Sequence, residues 1–201
     1  MDDGYIKYRS ERHDGIVPGS AQLEALNQAR TSLFDLGLIG VYPDGVGYGN
    51  LSIRAKGDQF VITASATGGI RTLSIEQYCL VEAFSAEHNH VQSLGALPAS
   101  SEAMTHGAIY SANPAVHCVV HVHCRKLFDY WLANSLLATA ADIPYGTPTM
   151  AGAVSQLAIE KTQLPVLFAM AGHDEGIVAY GADVATAHAL LLTALQRAQI
   201  V

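Results

Sequence analysis

The chain has 201 residues, of which 50% are hydrophobic and 14% charged; this is enough for one domain with a sizeable core and too apolar for a disordered segment. Its formal net charge is -7 and its 11 Lys+Arg are scattered, so no run of cations can neutralise a nucleic-acid backbone. The longest apolar runs, Val166–Ala171 and Ala189–Leu192, fall far short of the roughly 18 residues a membrane span needs, and neither nucleic acid nor membrane is expected as a partner.

A mean hydropathy of +0.21 with so little charge points to surface buried between subunits, and a homo-oligomer is expected. The start, Met1-Asp2-Asp3-Gly4, is acidic with no apolar signal core behind it, and the three cysteines make no even framework. A reduced, cytoplasmic setting follows. On one extended strand Cys118 and Cys124 stand about 20 Å apart, beyond disulfide reach.

Tyr5–Arg9 alternates weakly and reads as a short strand. Pro18-Gly19-Ser20 opens a helix with Ser20 as N-cap, in which Leu23, Leu26, Leu33 and Phe34 share one face and which Gly37 ends. A glycine-rich loop, Tyr42–Asn50, leads to strands over Leu51–Ala55 and Gln59–Ala64 around the turn Lys56-Gly57-Asp58. After the Thr67-Gly68-Gly69 loop and a helical turn at Ser74–Tyr78, Cys79–Ser85 and Val91–Leu94 form a hairpin. Ser100 or Ser101 caps a helix to about Ala112, stopped before Asn113-Pro114. Val116–His123 is a strand, Leu127–Ala138 and Ala151–Glu160 are helices, Val166–Met170 and Gly176–Tyr180 are strands, and Asp183 caps a C-terminal helix. With no repeat or linker, residues 1–201 read as a single α/β layered domain with much antiparallel pairing.

The most informative segment is His117-Cys118-Val119-Val120-His121-Val122-His123-Cys124. Strand side chains alternate, so His117, Val119, His121 and His123 share one face. A helix would set His121 and His123 about 200° apart; only a strand lets both reach one ion. Alone, the segment is open to two readings, a divalent-metal site or a polar strand face. His88 and His90 repeat the spacing in a polar turn and read as exposed hairpin residues, while His188 reads as a core or interface histidine. Glu102 and His106, four apart on one helix face, are either site residues or helix surface. Gly45, Gly47 and Gly49 miss the dinucleotide fingerprint because Asn50 stands where its third glycine belongs, and they shape a loop or cradle an anion. The hydroxyls of Ser100 and Ser101 at a helix N-terminus make either a cap or a small anion site.

In order and spacing, Gly49-Asn50-Leu51-Ser52, Thr67-Gly68, Ser100-Ser101-Glu102, His121-Val122-His123 and Pro144-Tyr145-Gly146-Thr147 resemble the class II aldolase/adducin family, in particular the group around fuculose-1-phosphate and ribulose-5-phosphate metabolism. The resemblance runs from about Ser20 to the end, and its most specific part is Ser100–Tyr110 followed by Val119–His123. It implies a single three-layer α/β/α domain around a mainly antiparallel sheet, assembled as a tetramer with active sites at subunit interfaces. It implies a divalent metal ion, commonly Zn2+, held by His121, His123 and a later histidine, here His173. A phosphate cradle would map to Asn50, Thr67, Gly68, Ser100 and Ser101, and the catalytic carboxylate to Glu102.

The activity so implied is that of a lyase cleaving a small sugar phosphate or related hydroxy-carbonyl compound by a retro-aldol step, through a metal-stabilised enediolate with Glu102 moving the proton. No lysine stands in a suitable place for a Schiff base, since the neighbourhood of each motif is nearly lysine-free. Decarboxylation, dehydration or epimerisation through the same chemistry, and a non-catalytic adducin-like scaffold, are the alternatives. The chain departs from the family pattern in two places. The family's late histidine directly precedes a glycine, whereas Gly172-His173-Asp174-Glu175-Gly176 inserts two acids, either of which is placed to enter the site. The stretch between His123 and Pro144 is also short; that region or the C-terminus commonly supplies a tyrosine acid from a neighbouring subunit, and Tyr130 is the nearby candidate.

Overall fold

The Ser20 side chain accepts a hydrogen bond from the Leu23 amide at 3.1 Å, which satisfies one of the open donors at a helix start and fixes the beginning of α1 (Ala21–Asp35). Before it comes β1 (Arg9–His13), further along the chain than the strand expected at Tyr5–Arg9. All of its residues are exposed, so strand pairing rather than a buried face orders this edge. The computed structural model describes residues 5–200; the acidic segment Met1–Gly4 lies outside them.

A small hairpin, β2 (Gly40–Val41) and β3 (Gly47–Tyr48), precedes β4 (Asn50–Arg54), β5 (Phe60–Thr63), β6 (Tyr78–Ser85) and β7 (His90–Leu94). Then follow α2 (Ala103–Ala112), β8 (Cys118–His123), α3 (Arg125–Ala133), α4 (Pro148–Glu160), β9 (Val166–Ala169), β10 (Gly176–Gly181) and α5 (Val184–Arg197). Among the described residues, eight strands form one sheet in the order β1-β7-β6-β5-β4-β8-β10-β9. Only the edge pair β1·β7 is parallel; the others are antiparallel.

Helices cover both faces, giving the three-layer α/β/α architecture that the resemblance implied. Met104 and Ile109 of α2 and Met150 and Val154 of α4 pack on one face. Leu26 and Leu33 of α1, Leu127 and Phe128 of α3, and Leu191 and Leu195 of α5 pack on the other. Each fully buried leucine, Leu26 among them, contributes on the order of 1.5–3 kcal/mol. Strand β8 runs inside the sheet between β4 and β10 and is buried on both faces. Its Cys118, Val120 and Val122 enter the α1/α3/α5 layer. Val119 enters the α2/α4 layer, and His121 and His123 share its face by alternation.

Besides β1, helix boundaries differ from the sequence reading at three points that local contacts explain. Helix α2 has Glu102 at its N-cap position; neither serine holds it, because Ser100 Oγ takes the Glu102 amide at 3.3 Å one turn earlier. Helix α3 stops at Ala133 because Ser135 turns left-handed at φ +51° and the chain then runs beside β9, where the Ala169 amide donates to Leu137 O at 3.0 Å. Helix α4 begins early at Pro148, since Thr147 Oγ1 accepts from the Met150 amide at 3.2 Å and proline at the first position forfeits no helical bond.

Candidate metal and anion site

Antiparallel pairing sets Val178 of β10 opposite His121 and Gly176 opposite His123, so the loop entering β10 delivers His173 over the histidine face of β8. The loop is tight: the His173 amide donates to Met170 O at 2.8 Å and the Gly176 amide to His173 O at 2.9 Å. A Cβ at Gly176 would stand 3.3 Å from His121 Nε2 and 3.2 Å from His173 Cγ, so a side chain there would press on both imidazoles. His121, His123 and His173 are 1%, 4% and 3% exposed. Each offers one nitrogen within 4.8 Å of the other two, and the ring centroids are 4.7 to 5.0 Å apart.

Burial above all, and then His123, His173 and His106, push the His121 pKa well below its ordinary value, which keeps the ring neutral and its lone pair available. His121 Nε2 is buried and has no hydrogen-bond partner. Its Nδ1 lies 3.4 Å from the amide nitrogen of Asn50, whose Oδ1 is also unsatisfied. Turning that amide over sets Oδ1 against Nδ1–H and leaves Nε2 as the free acceptor. Three clustered imidazoles with a buried unsatisfied nitrogen fit a divalent cation of the zinc type and are costly as a mere polar strand face.

Glu102 is 2% exposed. Thr105 Oγ1 donates to its Oε2 at 2.6 Å, while Oε1 is without a partner. Glu102 lines the same small cavity as the three histidines, together with Tyr48 and Tyr145. A larger cavity of about 250 Å³ adjoins it, lined by Asn50, Thr67, Gly68, Ser100 and Ser101 among others; Asn50 and Ser101 belong to both. The nine candidate residues are therefore brought into one cleft.

No Lys or Arg among the described residues lines the larger cavity. A cation lies behind it instead. Arg30, 1% exposed, donates to the carbonyls of Thr67 at 2.8 Å, Ile70 at 2.6 Å and Arg71 at 3.1 Å, clamping the loop that carries Thr67 and Gly68. A Cβ at Gly68 would collide with the Gly40 carbonyl oxygen, so this loop also lies directly on the β2–β3 hairpin.

The remaining candidates separate. His106 is fully buried, with Nδ1 2.7 Å from Ser52 Oγ and that hydroxyl 2.8 Å from Tyr110 OH; it is neither metal-cluster member nor helix surface. His88 is exposed, His90 faces Glu11 at 3.4 Å, and His188 is half-buried on α5. Asp174 and Glu175 stay outside the histidine cluster and pair with Arg125. Tyr130 packs against the apolar layer on the other side of the sheet. Sequence reasoning missed Tyr42, whose hydroxyl lies 2.8 Å from His123 Nδ1 across 81 positions and donates to Glu175 Oε2 at 2.7 Å; nothing local marks it. It also missed Arg30, although a charged residue in step with Leu23, Leu26 and Leu33 on a buried helix face was a readable signal.

The three-layer fold recurs in solved structures. L-fuculose-1-phosphate aldolase from Thermus thermophilus is 24% identical, with 90% of this chain and 93% of that one covered and a TM-score of 0.65. A sugar-phosphate aldolase from Thermotoga maritima is 18% identical over 90% and 94% of the two chains, with a TM-score of 0.67. YgbL from Klebsiella pneumoniae is 20% identical over 91% and 90%, with a TM-score of 0.64. By sequence, no curated protein matches the chain. Residues 44–201 match the Class II Aldolase and Adducin N-terminal domain, and the chain belongs to that family. Class II aldolases use a divalent metal ion, and His121, His123 and His173 could hold one. Among the described residues, no helix is long and apolar enough to cross a membrane.

Proposed function

We propose that the chain, a single domain over its 201 residues, is a metal-dependent aldolase-type lyase acting on a small sugar phosphate or related hydroxy-carbonyl compound. The observation that carries this reading is a juxtaposition. Two buried atoms without partners, Glu102 Oε1 and His121 Nε2, line one cavity, and a cavity of hydroxyl and amide donors adjoins it.

His121, His123 and His173 hold the cation, and their all-nitrogen donor set suits zinc. When bound, the ion supplies a Lewis acid that polarises substrate oxygens and acidifies the neighbouring C–H. Asn50, Thr67, Gly68, Ser100 and Ser101 hold the phosphate through hydroxyl and amide donors, which fixes the reacting end beside the histidines. Thr105 anchors one oxygen of Glu102 and leaves Oε1 to move the proton. In cleavage the substrate's β-hydroxyl loses a proton as the C–C bond breaks and the carbonyl-side product gains one at carbon; Glu102, in its protonated form, delivers the second, and the first restores its proton. Val41 and Tyr5, which line the anion cavity, are exposed apolar side chains, which supports a homo-oligomer; we take it to be a tetramer with the sites at subunit contacts, working in the cytoplasm.

The first test is metal content per subunit of untagged protein beside His121→Ala. About one equivalent of zinc, lost in the variant, supports the site; no metal after reconstitution overturns it and favours an adducin-like scaffold. Product analysis by NMR with candidate sugar phosphates then decides the reaction. An aldehyde and a ketone phosphate support the lyase, whereas an epimer, a dehydrated product or carbon dioxide moves the chain to another reaction of the family.

A further inference from the structure

The chain's departure from the family pattern, the acids after His173, has a place in the structure. We propose that Tyr42 and Glu175 are positioning residues for His123: together they fix its Nδ1–H tautomer and aim Nε2 at the other two histidines. The inference rests on the metal-site reading above.

Tyrosine has one hydroxyl proton. Tyr42 gives it to Glu175 Oε2 at 2.7 Å, since a carboxylate can only accept. Toward His123 Nδ1, 2.8 Å away, the same hydroxyl must then accept, so the ring proton sits on Nδ1. A neutral imidazole protonated there presents its lone pair on Nε2, and His123 is one of the three histidines that each offer a nitrogen to a common cation.

The outer end of this chain is held firmly. Glu175 Oε1 accepts from Arg125 Nε at 3.2 Å, and Arg125 is fixed in turn by Asp174 and by Asp129 at 3.6 Å. The Glu175 backbone adopts φ +66°, and its carbonyl takes the Cys124 amide at 3.0 Å, tying the loop to the end of β8. Tyr42 is pinned in its hairpin by bonds to Val46 and Gly45 at 2.8 and 2.9 Å. Carboxylates that orient ligating histidines normally touch the ring directly; here a tyrosine stands between them, and outer partners of this kind change metal affinity by about 10–100-fold.

The test uses two independent readouts on wild type, Tyr42→Phe and Glu175→Ala. Zinc affinity is measured by competition with a chromogenic chelator, and the His123 tautomer in metal-free protein by long-range nitrogen–proton NMR. The expected result is an Nδ1–H ring in wild type, loss of that single tautomer in Tyr42→Phe, and zinc binding weakened by about 10–100-fold. Glu175→Ala, which alters only a partly exposed loop side chain, should weaken binding in the same direction and guards against a misfolded tyrosine variant. Unchanged tautomer and affinity in both variants overturn the inference. A wild type that takes up no zinc overturns the metal reading instead, and the metal-free spectra still judge the hydrogen-bond chain by themselves.

Discussion

Tyr145 lies flat against His173, the ring centroids 4.1 Å apart and the planes 21° from parallel. On the tyrosine's ring the Lys7 ammonium sits 3.6 Å from the centroid. The third histidine of the cluster is carried by a loop rather than by a strand, and this stack gives its ring a wall.

Replacing Tyr145 with Ala should therefore loosen His173 and weaken zinc binding. An aromatic pair contributes about 0.5–1.5 kcal/mol beyond buried area, which corresponds to roughly a 2- to 13-fold loss. Tyr145→Phe keeps the stack and should bind zinc as wild type does. Equal affinity of the Ala variant in a chelator competition would show that the wall is idle.

Glu102→Gln keeps shape and burial but removes the group able to exchange a proton. Turnover should fall by about 10²–10⁴-fold while metal content, read by mass spectrometry, stays at the wild-type level. Retained turnover would remove Glu102 from its role.

Arg30→Met should destabilise the protein by about 1–3 kcal/mol, because the buried Thr67 carbonyl loses its donor; the carbonyls of Ile70 and Arg71 lie on exposed residues, and that of Arg71 keeps the Thr31 hydroxyl at 3.3 Å. Urea unfolding measures this. The loop it releases carries Thr67 and Gly68, so thermal protection by added inorganic phosphate should shrink as well. Lysine at this position recovers only part of both effects, having a point charge in place of a planar fork; full recovery by lysine would mean that charge alone matters.

Acid should weaken the fold through His106. Burial holds its folded pKa at about 3, against about 6.5 in an unfolded chain. As pH falls, the unfolded state takes up this proton first, so the contribution is complete above pH 6.5 and is lost between about 6.5 and about 3. By pH 5 the loss is about 2 kcal/mol. The gap between urea midpoints at pH 7 and pH 5 should narrow in His106→Asn, the remainder coming from other buried histidines such as His121; an unchanged gap would place the acid sensitivity elsewhere.

Much of this was readable in the order of residues. Period-two alternation placed His121 and His123 on one face of a strand, and β8 carries them so. Ser20 and Asp183 announced their helices and cap them. Signals failed where the deciding contact is distant in sequence. Tyr42 meets His123 only because a two-stranded hairpin folds back over the end of β8, and no local pattern encodes that approach. The serines at positions 100 and 101 look like caps because hydroxyls at a helix start usually are; here the chain makes a preceding turn, and Glu102 takes the boundary.

The sheet's connectivity also ranks how firmly each imidazole is held. His121 and His123 ride on a strand laddered to neighbours on both sides, whose amides exchange with solvent only when the whole sheet opens. His173 depends on a short turn, closed by three backbone bonds within residues 170–176 and tied once to Cys124 at the end of β8, which is a smaller unit to open than the ladder. An ion would then enter and leave past His173, with the two strand imidazoles as the last grip. The rate of metal exchange would follow the opening of that turn rather than the stability of the domain.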